Sequence, residues 1–138
     1  MPTERAVRLT WSGTGMRFTG EGVLPPSPAI PLDGDAVAGP SPMLTLLLAA
    51  ASCSGSDVVS ILAKMRVRLE ALTVDVAGVR RDEEPRRYIE IRYRFSMRGE
   101  GLDAVKAERA VSLSLEKYCS VVHSLAPDIV VRHEVVVG

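Results

Sequence analysis

The stretch Pro40-Ser41-Pro42-Met43-Leu44-Thr45-Leu46-Leu47-Leu48-Ala49-Ala50-Ala51-Ser52-Cys53-Ser54-Gly55-Ser56-Asp57-Val58-Val59-Ser60-Ile61-Leu62 decides the architecture. Ser41 can cap free backbone N–H groups, and Pro42 suits the first helical position with its preset φ, so a long helix starts here. Leu44, Leu47, Leu48 and Ala51 continue into Val58, Ile61, Leu62 and Met65. Leu46, Ala50 and Val59 make other faces apolar too, which predicts a central helix buried on most sides. Its middle, Ala49 to Gly55, consists of small residues and permits close approach of another backbone. Lys64, Arg66 and Arg68 then favour the negative end of the helix dipole.

Downstream, Leu72, Val74 and Val76 alternate, as do Ile89, Ile91, Tyr93, Phe95 and Met97 against Glu90, Arg92, Arg94 and Ser96. A period of two predicts strands with one buried face. Between them, residues 80–87 mix four positive and three negative charges and read as a solvated hairpin tip. Asp103 can cap a second helix that runs to Tyr118-Cys119, bends there and ends at Pro127. The tail, Ile129 to Val137, alternates again and is expected to rejoin the sheet. Upstream, residues 4–32 read as short strands, with Ser12-Gly13-Thr14-Gly15 supplying a hairpin turn and Pro25, Pro26, Pro28 and Pro31 excluding helix. The order β-β-β-α-β-β-α-β predicts a single α+β domain over residues 1–138, with antiparallel sheets packed on the two helices.

Composition narrows the function. The 138 residues carry 17 basic and 17 acidic side chains, so the zero formal charge argues against a nucleic-acid binder. Polar residues interrupt the apolar stretch Met43–Leu62, and the amino terminus lacks a signal-peptide core, which leaves a cytoplasmic protein without membrane attachment as the expectation. A chain of this length buries roughly 68% of its unfolded surface, enough to hold a core without disulfides or metal. The two cysteines, Cys53 and Cys119, lie 66 residues apart. In a reducing compartment such a pair is catalytic, redox-sensing or simply buried.

Other chemistries find little support. Ser54-Gly55-Ser56 lacks a nucleophile elbow, and Gly13-x-Gly15 lacks the rest of a phosphate loop. Cys119 and His123 share a helical face, but with Cys53 and His133 they show no paired zinc spacing, so neither metal nor cofactor is expected. Taken alone, Cys53 reads as a small core residue, because Asp57 one turn later disfavours a thiolate. A second helix crossing at the small-residue patch would change that reading by bringing Cys119 to Cys53, with Cα atoms about 4.4–6.8 Å apart for a disulfide.

The run Gly39-Pro40-Ser41-Pro42-Met43, continued by Leu47 to Cys53 and by Asp57-Val58-Val59-Ser60-Ile61-Leu62, resembles the central helix of the OsmC/Ohr superfamily. Leu113-Ser114-Leu115-Glu116-Lys117-Tyr118-Cys119 resembles its second-cysteine segment, in wording nearer the OsmC-like branch than the organic-hydroperoxide-resistance branch. The resemblance implies thiol-dependent reduction of hydroperoxides in stress defence, with Cys53 peroxidatic and Cys119 resolving, and a thiol or dithiol as reductant. It also implies an intertwined homodimer whose amino-terminal strands pack across to the partner. Peroxidatic members carry a glutamate near the start of the central helix that holds an activating arginine. Leu44 stands at that spacing here, nine residues before Cys53. Arg17 is the best candidate cation, although it reads equally well as an exposed strand residue. His123 could carry protons beside Cys119, and Trp11 and Tyr118 could line an apolar pocket, although a core or interface role is the plainer reading of both. The alternative is a redox-sensing or small-ligand-binding module that keeps the scaffold without efficient catalysis.

Overall fold

A computed structural model describes residues 2–138, which divide into two compact units, one up to Leu46 and one from Leu47 to Gly138. In the first unit, β1 (Ala6–Trp11), β2 (Arg17–Leu24) and β3 (Ile30–Asp33) form an antiparallel meander in that order. The predicted turn joins β1 to β2: Ser12 N–H donates to Arg17 O at 2.9 Å, while Gly13 and Gly15 take the positive φ values of 92° and 55° that side chains resist. Asp33, the buried residue of this sheet, ends β3 in a turn. Its carboxylate accepts from the backbone N–H groups of Asp35 and Ala38, each at 2.9 Å. Those bonds satisfy a group that would be costly to bury unpaired.

Helix α1 (Pro42–Lys64) starts where Ser41 and Pro42 predict: Leu44 N–H donates to Ser41 Oγ at 3.2 Å. Its burial corrects the expectation of a helix covered on most sides. Leu47, Ala50, Ser54, Val58 and Leu62 form one buried stripe, whereas Leu44, Leu48 and Val59 are about half exposed. Spacings of three and four residues put that stripe on a single face, and one chain supplies atoms enough to cover that face alone. By length and composition α1 could also cross a bilayer, a test that core helices of ordinary globular proteins pass as well. The helix stops at Arg66, which takes a left-handed φ of 61°.

The second unit is built on β4 (Arg68–Arg80) and β5 (Tyr88–Glu100), joined by the charged tip and paired antiparallel. At the tip Arg80 Nε donates to Arg86 O at 2.6 Å and Arg81 Nε to Pro85 O at 2.7 Å, so the arginines cap the turn that exposes them. Ile91, Tyr93, Phe95 and Met97 point inward as the alternation requires. Ile89 does not. Val79 pairs with Glu90 and Arg80 with Tyr88, so Ile89 is the extra residue of a bulge, which turns it outward and Tyr88 inward. The Tyr88 ring lies over Gly78, where a Cβ would strike its edge, and a glycine is needed there for space. Gly55 places α1 close to β4, with room for an ordinary contact to Val74 Cγ2 at 3.6 Å.

Asp103 caps α2 (Ala104–Leu113) as expected, accepting from Lys106 N–H at 2.8 Å. The predicted bend is a π-turn at Ser114–Tyr118, followed by the short α3 (Ser120–His123). The tail forms β6 (Val130–Val137), which pairs with β5 in parallel. This corrects the expectation of wholly antiparallel sheets. A chain that leaves β5 and returns through α2 and α3 has made a crossover, and a crossover brings the next strand back in the same direction. His133 on β6 meets Glu108 on α2 across this connection at 2.7 Å.

Candidate active site

Both cysteines lie in the second unit as free thiols, Cys53 half-buried on α1 and Cys119 fully buried after the π-turn. The π-turn delivers Cys119: its N–H donates to Ser114 O at 2.7 Å, five residues back. Cys119 then caps α3, its Sγ accepting from Val122 N–H at 3.5 Å. Burial pushes the Cys119 thiol up. Ser54 and the Val122 N–H pull it down, and the neighbouring Cys53 thiol pushes it up again. The two thiols are thus near enough to influence one another, a neighbourhood the sequence left open.

Two residues beneath the thiols escaped sequence reading. Tyr93 is held neutral, its phenol pushed up to about 12, chiefly by burial, against the opposing influence of Ser54 and with the two cysteines adding to the rise. Ser54 Oγ is fully buried and near both Tyr93 and Cys119, yet neither it nor Tyr93 Oη makes a hydrogen bond of good geometry. A polar residue on the apolar stripe between Ala50 and Val58 was the available signal. Asp57 was read as an electrostatic handicap to Cys53. The structure gives it a partner, since Ser114 Oγ donates to Asp57 Oδ2 at 2.9 Å.

The remaining candidates stand elsewhere. Arg17 pairs with Asp33 within the first unit, 3.9 Å apart, and its side chain is half exposed. Leu44 is exposed near the start of α1. His133 is engaged by Glu108, whose carboxyl it holds below the usual range. His123 lines a separate cavity of about 260 Å³ with Val122, Leu125 and Pro127. Trp11 and Tyr118 are about half exposed, which does not fit a core role within one chain. Among the described residues, no three His, Cys, Asp or Glu side chains converge as a metal site.

The α+β fold carries two free thiols near one another, one half-buried and one enclosed. The chain belongs to the OsmC-like protein family, whose model matches residues 33–134. Protein YhfA of Escherichia coli K12 is 39% identical over 127 residues, covering 91% of this chain and 92% of the relative. The crystal structure of an OsmC-like protein from Mycoplasma pneumoniae shares the fold with a TM-score of 0.83 at 14% identity, over 99% of both chains. That of the organic hydroperoxide resistance protein OhrB of Bacillus subtilis does so with a TM-score of 0.62 at 15% identity, over 96% of this chain and 98% of that one.

Proposed function

We propose that the protein acts in peroxide defence by reducing organic hydroperoxides with its cysteine pair. The observation that carries this reading is that the half-buried Cys53 lies near enough to the fully buried Cys119 to push its thiol up. The Cys53 thiolate attacks the hydroperoxide, the O–O bond breaks, and the alkoxide leaves as the alcohol after taking a proton. Cys53 is then a sulfenic acid. Cys119 attacks its sulfur and the oxygen departs as water, leaving a disulfide that two equivalents of a thiol, or one dithiol, reduce. Enclosure of Cys119 suits the resolving role, since it keeps that thiol from oxidant while leaving its partner within reach. Membership of the OsmC-like family supports the reading, as does the hydroperoxide-resistance name of a protein with the same fold. The proposal includes a single functional domain over residues 1–138, a cytoplasmic location and a homodimer.

A second reading has its own support. Leu44 occupies the place of the family glutamate, and Arg17 is engaged by Asp33, so the obvious source of thiolate activation is missing. A redox-sensing or ligand-binding module would then show a slow Cys53. Reduced protein given cumene hydroperoxide and a dithiol is expected to consume peroxide at a rate that Cys53→Ser abolishes. Turnover no faster than in the serine variant, with Cys53 alkylated no faster than an ordinary cysteine, rejects the peroxidase in favour of the module.

A further inference from the structure

We propose that Asp57 is a positioning residue that sets Cys119 against Cys53 by holding the Ser114 hydroxyl at the entrance of the π-turn, an inference that rests on the thiol-pair reading above. Asp57 lies four residues after Cys53, hence on the same face of α1 one turn on. It accepts from Ser114 Oγ at 2.9 Å, and Ser114 is fully buried. The carbonyl of that same Ser114 receives the Cys119 N–H at 2.7 Å. One residue thus joins the helix that carries the first thiol to the turn that delivers the second.

One physical cost makes the contact informative. A π-turn is rare and has poorer packing of its own than a regular helical turn, so something outside it must hold its first residue. A hydrogen bond to a carboxylate is roughly twice as strong as one between neutral groups. The bond from Ser114 supplies that hold. In the proposed role, a fixed turn keeps the Cys119 sulfur at one position relative to α1. Misplacement by about an ångström in such a step costs on the order of a hundred-fold in rate.

The test avoids peroxide by using dithiobis-nitrobenzoate (DTNB) as the oxidant. Cys53 attacks it, releasing one coloured thiolate and leaving a mixed disulfide. Cys119 then attacks the Cys53 sulfur, forming the Cys53–Cys119 disulfide and releasing a second thiolate, with both thiol protons passing to solvent. The second release reads the positioning. Asp57→Ala and Ser114→Ala are expected to slow it about ten- to hundred-fold with the first release no slower. Asp57→Asn, which keeps an acceptor for Ser114, stays within about three-fold of wild type, and the double alanine variant is no slower than either single one. A normal second phase in Ser114→Ala overturns the proposal, and that variant decides the matter alone where Asp57→Ala does not fold. So does Asp57→Asn as slow as Asp57→Ala, or wild-type protein that stops after one thiolate. Wild-type protein that closes the disulfide with DTNB but consumes no hydroperoxide overturns the peroxidase and leaves the positioning role standing.

Discussion

In the carboxy-terminal unit the inward row of β5, Ile91 to Met97 on alternate positions, is at most 3% exposed, whereas in the amino-terminal unit Val7, Leu9 and Trp11 are between 56% and 82% exposed. Both rows alternate along extended strands. Alternation thus specifies a strand and its two faces, while burial depends on what lies opposite a face. The carboxy-terminal unit supplies its own opposite layer from α1 and α2, through Ala50, Val58, Leu62, Ala107 and Val111. The amino-terminal sheet keeps Asp33 as its buried residue, and polar bonds hold it there.

The comparison can be broken most decisively at Phe95, which is fully buried and stacks on Tyr93 with ring centroids 5.5 Å apart. Phe95→Ala is expected to lower unfolding free energy by about 3–5 kcal/mol in urea denaturation. A loss under about 1 kcal/mol would mean that the β5 row does not anchor its unit. A smaller effect is expected at Asp33. The N–H groups of Ala38 and Asp35 hold its carboxyl below the usual range, with Arg17 adding to them. A carboxyl depressed in the folded state stabilises fully above its unfolded pKa of about 3.9, and that contribution fades as pH falls toward the folded value. Wild-type protein should therefore lose stability more steeply than Asp33→Asn between about pH 5 and pH 2. Equal slopes would remove Asp33 as the anchor of the amino-terminal sheet.

The smallest change in the stability of a single chain is expected at Leu9. Leu9→Thr keeps a β-forming side chain at an exposed site and should shift unfolding at high dilution by no more than about 0.5 kcal/mol. The proposed homodimer adds a second readout, because sedimentation should then show weaker self-association in the variant. A wild-type chain that sediments as a 14.9 kDa monomer would leave those apolar residues without a covering partner and remove the homodimer from the proposal.

Much of this architecture was legible because local chemistry decided it. Ser41 and Asp103 mark helix starts, Gly13 and Gly15 mark a turn, and the β5 alternation marks an inward face. The bulge at Ile89 was not legible, since an extra residue depends on how the partner strand is paired and leaves no mark on the pattern. The same holds for the parallel entry of β6. The cysteine pair was recognisable as residues, but their meeting rests on where a crossover sets down its helices. Ser54 and Asp57 stood in the motif that decided the fold. What they do depends on Tyr93 and Ser114, which lie far away along the chain.

The wide turn at Ser114–Tyr118 holds one residue more than a regular helical turn would use. Under the positioning role proposed for Asp57, chain length between Leu113 and Cys119 belongs to the same device. Deleting one of the four residues between Ser114 and Cys119 would remove that side chain and leave the cysteine four residues after Ser114, where a regular turn at about 100° per residue brings it to nearly the angular position the wide turn gives it now. Closure of the disulfide at an unchanged rate in such a variant would show that the anchor of the turn, and not its width, sets the sulfur in place.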